Sequence, residues 1–163
     1  MKDYKSLYLH YQYELNIVIS IFNSDIIQKI VSNIKNSLVH FPNIIAPNTV
    51  FLDRSSLNIG KGNVLFLNTR VSCEVTIGDF NLVNSLSSFG HDARIGNYNI
   101  LAPSTRISGE CVVGNNNFFG VQSIVLQGLK IGSRTRIGAN SVVMRNTKDD
   151  SLYLGNPAKR IVI

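Results

Sequence analysis

The chain has no tryptophan, only two cysteines and four prolines in 163 residues, and a charged fraction of just 16%. Cys73 and Cys111 stand alone, without metal-like spacing, so neither a disulfide framework nor a thiolate metal site is expected. Reduced, cytoplasmic chemistry is the default for such cysteine usage. Long apolar runs are also missing. The stretch 15–22 follows acidic Glu14, is too short to span a bilayer and precedes no small-residue cleavage site, so a soluble protein without a membrane span is expected. Little charge argues against long salt-bridged helices, while abundant Asn, Ser, Ile and Val suit stacked strands. The net charge of +6 comes from scattered Lys and Arg with no aromatic-basic stripe, which excludes nucleic acid as the expected partner. Solvated surface accounts for most of these charges; a phosphorylated small ligand is the other reading.

What the sequence has instead is a period. Stepping by six from Ile59 gives Leu65, Val71, Ile77, Val83, Phe89, Ile95, Leu101, Ile107, Val113, Phe119, Val125, Ile131, Ile137 and Val143, fifteen apolar residues without a slip. With somewhat under half of positions apolar, chance gives such a run roughly once in a few hundred thousand trials. Eight of the twelve glycines directly follow an anchor, and they read as the residues that tight corners between short strands need. Two residues before an anchor the side chain is usually small, as at Thr69, Ser87, Ala93, Thr105, Cys111, Ser123, Thr135 and Ser141.

Three strands of six residues make a coil of about eighteen, with successive coils stacked at the sheet spacing of about 4.8 Å. The expected fold is therefore mainly β: a left-handed parallel β-helix of about five coils over residues 59–148, with a small N-terminal α/β unit. Sparse, irregular Thr argues against an ice-binding scaffold of the same repeat. The N-terminal unit, residues 1–45, reads as strand (16–22), helix (25–36, capped by Ser24) and extended run (38–45). The β-helix domain then covers 46–150, and 151–163 forms a tail broken at Gly155, Asn156 and Pro157.

The stretches IGDFNLVNSLSSFGHDARIGNYNILAPSTRISG (77–109), VVGNNNFFGVQSIVLQGLKIG and terminal GNPAKR resemble the hexapeptide-repeat sugar acetyltransferases that include sialic acid O-acetyltransferases and UDP-4-amino-sugar N-acetyltransferases. The resemblance covers residues 40–163 and implies acetyl transfer from acetyl-CoA to a sugar or nucleotide-sugar acceptor. It also implies a homotrimer with active sites between prisms. Family members carry a complete Rossmann-like domain before the coils, of which residues 1–45 hold room only for a remnant. No GxGxxG follows the first strand, so no nucleotide site is carried over there.

Thioester acyl transfer needs a base that takes the acceptor's proton. His91 is the only histidine within the repeat, and neighbouring Asp92 is placed to fix its tautomer. A lone coil histidine excludes a three-histidine zinc site, and no metal is expected. Gly109, eighteen residues past His91, stacks beside it; its backbone N–H is either an oxyanion donor, as the resemblance implies, or an ordinary turn amide. The resemblance further implies that Gly120 offers a backbone amide to the pantetheine arm and that Lys159 and Arg160 meet the coenzyme phosphates. Where relatives place a second, coenzyme-touching histidine, this chain has Ile100. Two other readings stay open: a hexapeptide acetyltransferase for serine, a simple sugar or an antibiotic, and a non-catalytic trimeric scaffold.

Overall fold

A computed structural model describes residues 13–162. A two-residue strand recurs at every hexad, from β3 (Ile44–Ile45) through β19 (Val142–Val143). Each strand pairs in parallel with the one a full coil away, for example Ser88 with Arg106 and Phe89 with Ile107. Three parallel sheets result, the walls of a left-handed prism of about six turns. The first wall contains β3, Ile100–Leu101 and Arg136–Ile137, the second Ser88–Phe89 and Arg106–Ile107, and the third Arg94–Ile95 and Val112–Val113. The anchors fill the interior: Val71, Val83, Leu101, Phe119 and Val125 are fully buried, beside equally buried Thr69, Ser87, Thr105 and Ser123. Large and small residues thus alternate in one narrow core.

The prism begins one coil earlier than the repeat from Ile59 predicts. Ile45 and Phe51 already pack against the core. A turn at residues 53–56, held by the Asp53 carboxylate accepting from the Ser55 N–H at 3.0 Å, adds two residues before Ile59 and hides this coil from a strict hexad count.

The register glycines are not where the chain turns left-handed. That conformation falls two residues later in each hexad, at Asn68 (φ 58°), Asp92 (58°) and Asn116 (60°), and at Gly62 and Gly128. The register glycines answer a need for space: a Cβ on Gly96 would stand 2.6 Å from the Gly114 carbonyl oxygen of the next coil. What these eight glycines supply at the corners is therefore room for the next coil rather than a left-handed turn.

Inside the first wall runs a ladder of buried asparagines, one per coil, at Asn63, Asn81, Asn99 and Asn117. The carboxamide oxygens of Asn63, Asn81 and Asn99 each accept the backbone N–H of the next asparagine, at 2.8 to 3.0 Å, and that of Asn117 accepts the Thr135 N–H at 2.7 Å. The ladder satisfies corner amides that the short strands leave unpaired.

The outer face of the first wall is covered by the N-terminal unit. Its helix, α1 (Ser24–Asn33), is capped by Asn23, whose side chain accepts from the Ile26 N–H at 3.1 Å. The cap is thus one residue earlier, and the end three earlier, than the sequence suggests. Ile27 of the helix and Ile19 pack against Val64, Leu82 and Ile100 of the wall. Phe80, stacked on Tyr98 and met edge-on by Phe41, extends this second core. The expected buried strand over 16–22 reduces to β1 (Leu15–Asn16), parallel to β2 (Val39–His40). Pro42 offers no N–H beyond β2, so pairing stops, and Val18, Ile21 and Phe22 remain exposed. At the other end β20 (Leu152–Leu154) extends the first wall and β21 (Lys159–Ile161) folds back antiparallel to it. Among the described residues no helix is long and apolar enough to cross a membrane.

Candidate active site

The corner after Ser88–Phe89 joins the second wall to the third and carries His91 and Asp92. Backbone bonds clamp it from both sides: the Asp92 N–H donates to the Cys73 carbonyl at 3.1 Å, and the His91 carbonyl accepts from the Glu110 N–H at 2.7 Å. The left-handed backbone at Asp92, which Asp tolerates, brings its carboxylate back to the imidazole. His91 Nδ1 and Asp92 Oδ2 are 2.8 Å apart. With Nδ1–H donating to the carboxylate, Nε2 is left as the basic nitrogen. Both side chains reach solvent, at 46% and 57% exposure.

The imidazole lies over Gly109. A Cβ there would stand 2.6 Å from Nε2 and 2.8 Å from Cε1, so only glycine leaves room for the ring in this position. Gly109 does not have the left-handed backbone of a turn glycine. Its carbonyl accepts from the Gly128 N–H at 2.9 Å, while its own N–H bonds to no described residue. The base is thereby adjacent to a backbone N–H that has no partner among the described residues and whose nitrogen stands against Gly90.

The eighteen-residue stacking also brings residues to this corner that were not picked out from the sequence. Cys73 sits one coil before His91, and Glu110 and Gln127, hydrogen bonded to each other at 3.0 Å, sit one and two coils after it. Their spacing from His91 and Asp92 was the available signal. Cys111 lies inside the prism, its Sγ 3.1 Å from the Leu126 carbonyl oxygen, and burial pushes its thiol pKa up.

The remaining expected residues lie elsewhere. Gly120 is buried at the corner between the first and second walls, and its N–H donates to the Ile137 carbonyl at 2.8 Å. It has no free amide to offer a ligand, which corrects the role carried over for it. Lys159 and Arg160 are exposed on β21, beyond the last coil, between four and five strand spacings or roughly 22 Å along the axis from His91. The turn before them reaches the second wall, where the Ala158 N–H donates to the Val142 carbonyl at 2.8 Å. Ile100 is 3% exposed in the second core and faces the N-terminal unit. Among the described residues no cluster of three or more His, Cys, Asp or Glu side chains forms a metal site.

Comparison with known proteins agrees with this architecture. Residues 110–145 match the family model "Bacterial transferase hexapeptide (six repeats)". A histidine-to-asparagine variant of perosamine N-acetyltransferase from Caulobacter crescentus, solved with CoA and GDP-perosamine, superposes with TM-score 0.86 at 28% identity, over 91% of this chain and 70% of its own. WeeI from Acinetobacter baumannii AYE gives TM-score 0.89 at 27% identity, over 97% and 76%. The acetyltransferase domain of PglB from Neisseria gonorrhoeae FA1090 gives 0.85 at 25%, over 90% and 70%. A search of curated protein sequences finds no match. The chain shares the hexapeptide repeat and the left-handed β-helix of these acetyltransferases, as the motif resemblance implied.

Proposed function

Starting from a hexapeptide-repeat β-helix shared with sugar acetyltransferases, we propose that this chain transfers an acetyl group from acetyl-CoA to an amino or hydroxyl group of a sugar or nucleotide-sugar acceptor. The observation that carries the reading is the corner geometry: His91 Nδ1 held 2.8 Å from Asp92, with Nε2 lying over the one residue that leaves it space, Gly109. The relatives solved with CoA and GDP-perosamine support the same donor and the same acceptor class.

In this reading Nε2 of His91 takes the proton of the acceptor as its nitrogen or oxygen attacks the thioester carbonyl carbon. The Asp92 carboxylate holds the ring and stabilises the imidazolium that forms. Charge gathers on the carbonyl oxygen, where the Gly109 N–H donates to it. The intermediate collapses by breaking the carbon–sulfur bond, and the imidazolium returns its proton to the departing thiolate. The products are the acetylated acceptor and CoA, with no metal in any step.

The protein acts as a cytoplasmic homotrimer in glycan or polysaccharide precursor biosynthesis, the half-exposed His91 corner being covered by a second prism. Thiol release from acetyl-CoA, measured with a panel of UDP-amino sugars and sialic acids for the wild type and His91→Ala, tests the reaction. Acceptor-dependent release that falls about a thousandfold in the variant is expected of a lost general base. Equal release from both proteins refutes the assignment, and light scattering at the mass of one chain refutes the trimer.

A further inference from the structure

The outer face of the second wall carries Val50, Arg70, Ser88, Arg106, Ile124 and Val142, one residue per coil. A groove of about 890 Å³ runs over it, with Arg70 and Arg106 in its lining. The two arginines flank Ser88 through consecutive strand pairings, so their Cα atoms are two strand spacings apart, about 10 Å. Neither guanidinium is paired: among the described residues the ion pairs are His91–Asp92 and Arg134–Asp150. No carboxylate lines the groove, whose remaining lining is the exposed apolar Val50 and Leu86, Asn68, Gly90, and the hydroxyls of Ser88, Ser104 and Ser108, over a floor formed at Phe89 and Ile107, whose side chains are buried in the prism.

We infer that this groove binds a diphosphate ester, its two phosphoryl groups held between Arg70 and Arg106. The inference rests on the acetyltransferase reading for what the bound molecule does. A guanidinium presents a planar fork of donors that suits a phosphoryl group, and two forks at this separation suit an ester with two. The serine hydroxyls add neutral donors, and the exposed Val50 and Leu86 side chains pack the carbon skeleton. Position makes the groove useful. Gly90 and Ser108, at one edge of it, immediately precede His91 and Gly109 in the chain, so the substituent of a diphosphate held here is delivered to the catalytic corner. Ser104 and Arg106 also line a second groove of about 390 Å³ that reaches Asn156 in the C-terminal turn. The binding surface is therefore elongated, with Arg70 and Arg106 as its cations near the catalytic corner.

Both reactants of the proposed reaction carry a diphosphate, and binding measurements on the full chain separate them. UDP, GDP and CoA are titrated calorimetrically into the wild type, Arg70→Ala, Arg106→Ala and the two Arg→Lys variants, and acetylpantetheine, which lacks the diphosphate, is tested as donor. Each alanine variant should bind one diphosphate class at least tenfold more weakly, with lysine restoring part of the loss and added salt weakening the wild type most. A loss confined to UDP or GDP assigns the groove to the acceptor. A loss confined to CoA, with acetylpantetheine turnover unchanged, assigns it to the donor. The inference is overturned if wild type binds none of the three, if the alanine variants bind all three like wild type, or if those variants change the molar mass in light scattering, which makes this wall a subunit contact. Arginine-dependent binding without His91-dependent thiol release sinks the acetyltransferase reading and leaves the groove standing; release that is indifferent to both arginines does the reverse.

Discussion

Replacing Gly109 by alanine separates the catalytic corner from the fold. The new Cβ would lie 2.6, 2.8 and 2.9 Å from Nε2, Cε1 and Cδ2 of His91, the shortest some 0.8 Å inside the 3.4 Å of ordinary contact. With three ring atoms blocked, the imidazole cannot rotate in place and must swing outward, which stretches its 2.8 Å bond to Asp92. A misplacement near 1 Å costs about a hundredfold in rate, or about 2.7 kcal/mol of transition-state stabilisation. The backbone at 109 is not left-handed, so alanine is sterically allowed there and trims the freedom of the unfolded chain by about 0.4–1 kcal/mol. Thiol release should therefore fall about a hundredfold while Tm stays level or rises slightly. Gly96→Ala is the contrast, because its Cβ would stand 2.6 Å from a backbone oxygen that cannot step aside. That variant should lose about 2 kcal/mol, roughly 4–8 °C in Tm. Unchanged turnover in Gly109→Ala, or a Tm loss matching that of Gly96→Ala, refutes the reasoning.

Asn99→Ala removes the oxygen that accepts from the Asn117 N–H at 3.0 Å and the amide that donates to Asn81 at 3.0 Å, stranding a buried donor. A loss of about 3 kcal/mol, or roughly 6–12 °C in Tm, is expected by thermal denaturation, and a loss under 2 °C shows that the ladder is dispensable. Burial raises the Cys111 thiol, whereas Cys73 is only half buried, so a disulfide reagent at pH 8 should modify one thiol quickly and the other only on unfolding. Cys73→Ser should erase the fast phase; two fast phases in wild type contradict the placement. Asp150 has its carboxyl lowered by Arg134, so this pair's stabilisation is present above the usual carboxylate range and is lost as pH falls through the lowered folded value. Asp150→Asn should flatten the acid limb of a Tm-against-pH curve, and an identical limb counts against the pair.

The sequence disclosed whatever depends on periodicity and little that depends on wrapping around a corner. Fifteen anchors fix the coil, and with it the fact that Gly109 stacks on His91. The first coil escaped because residues 53–56 shift the next anchor by two, and a count that begins at Ile59 cannot see behind the shift. The glycine register was visible but its cause was not, since a close approach of the next coil exists only once coils are stacked. The asparagine ladder was legible in principle at an eighteen-residue spacing, yet it was overlooked because polar residues at core-facing positions run against the apolar pattern being sought. Arg70 and Arg106 obey the same spacing. Their importance depends on a groove with no acidic lining, and absence of a neighbour is not written in a period.

Ile100 shows how a family pattern and a packed structure compete. By the motif this position would hold a coenzyme-touching histidine, so Ile100→His ought to tighten acetyl-CoA binding if the surface around it were open. In this chain the side chain is 3% exposed and packs with Ile19, Ile27, Val64 and Leu82 beneath the N-terminal helix. Histidine there exchanges a well-packed aliphatic group for an imidazole whose nitrogens meet only hydrocarbon, which costs about 2–4 kcal/mol in lost packing and unmet hydrogen bonds. Roughly 6–12 °C of Tm should disappear, with no gain in coenzyme affinity and with loss growing at low pH, where the buried ring must either stay neutral or open the core. A variant of unchanged Tm that binds acetyl-CoA more tightly shows instead that the N-terminal unit lifts from the first wall. The catalytic surface then includes that wall as well as the corner of His91.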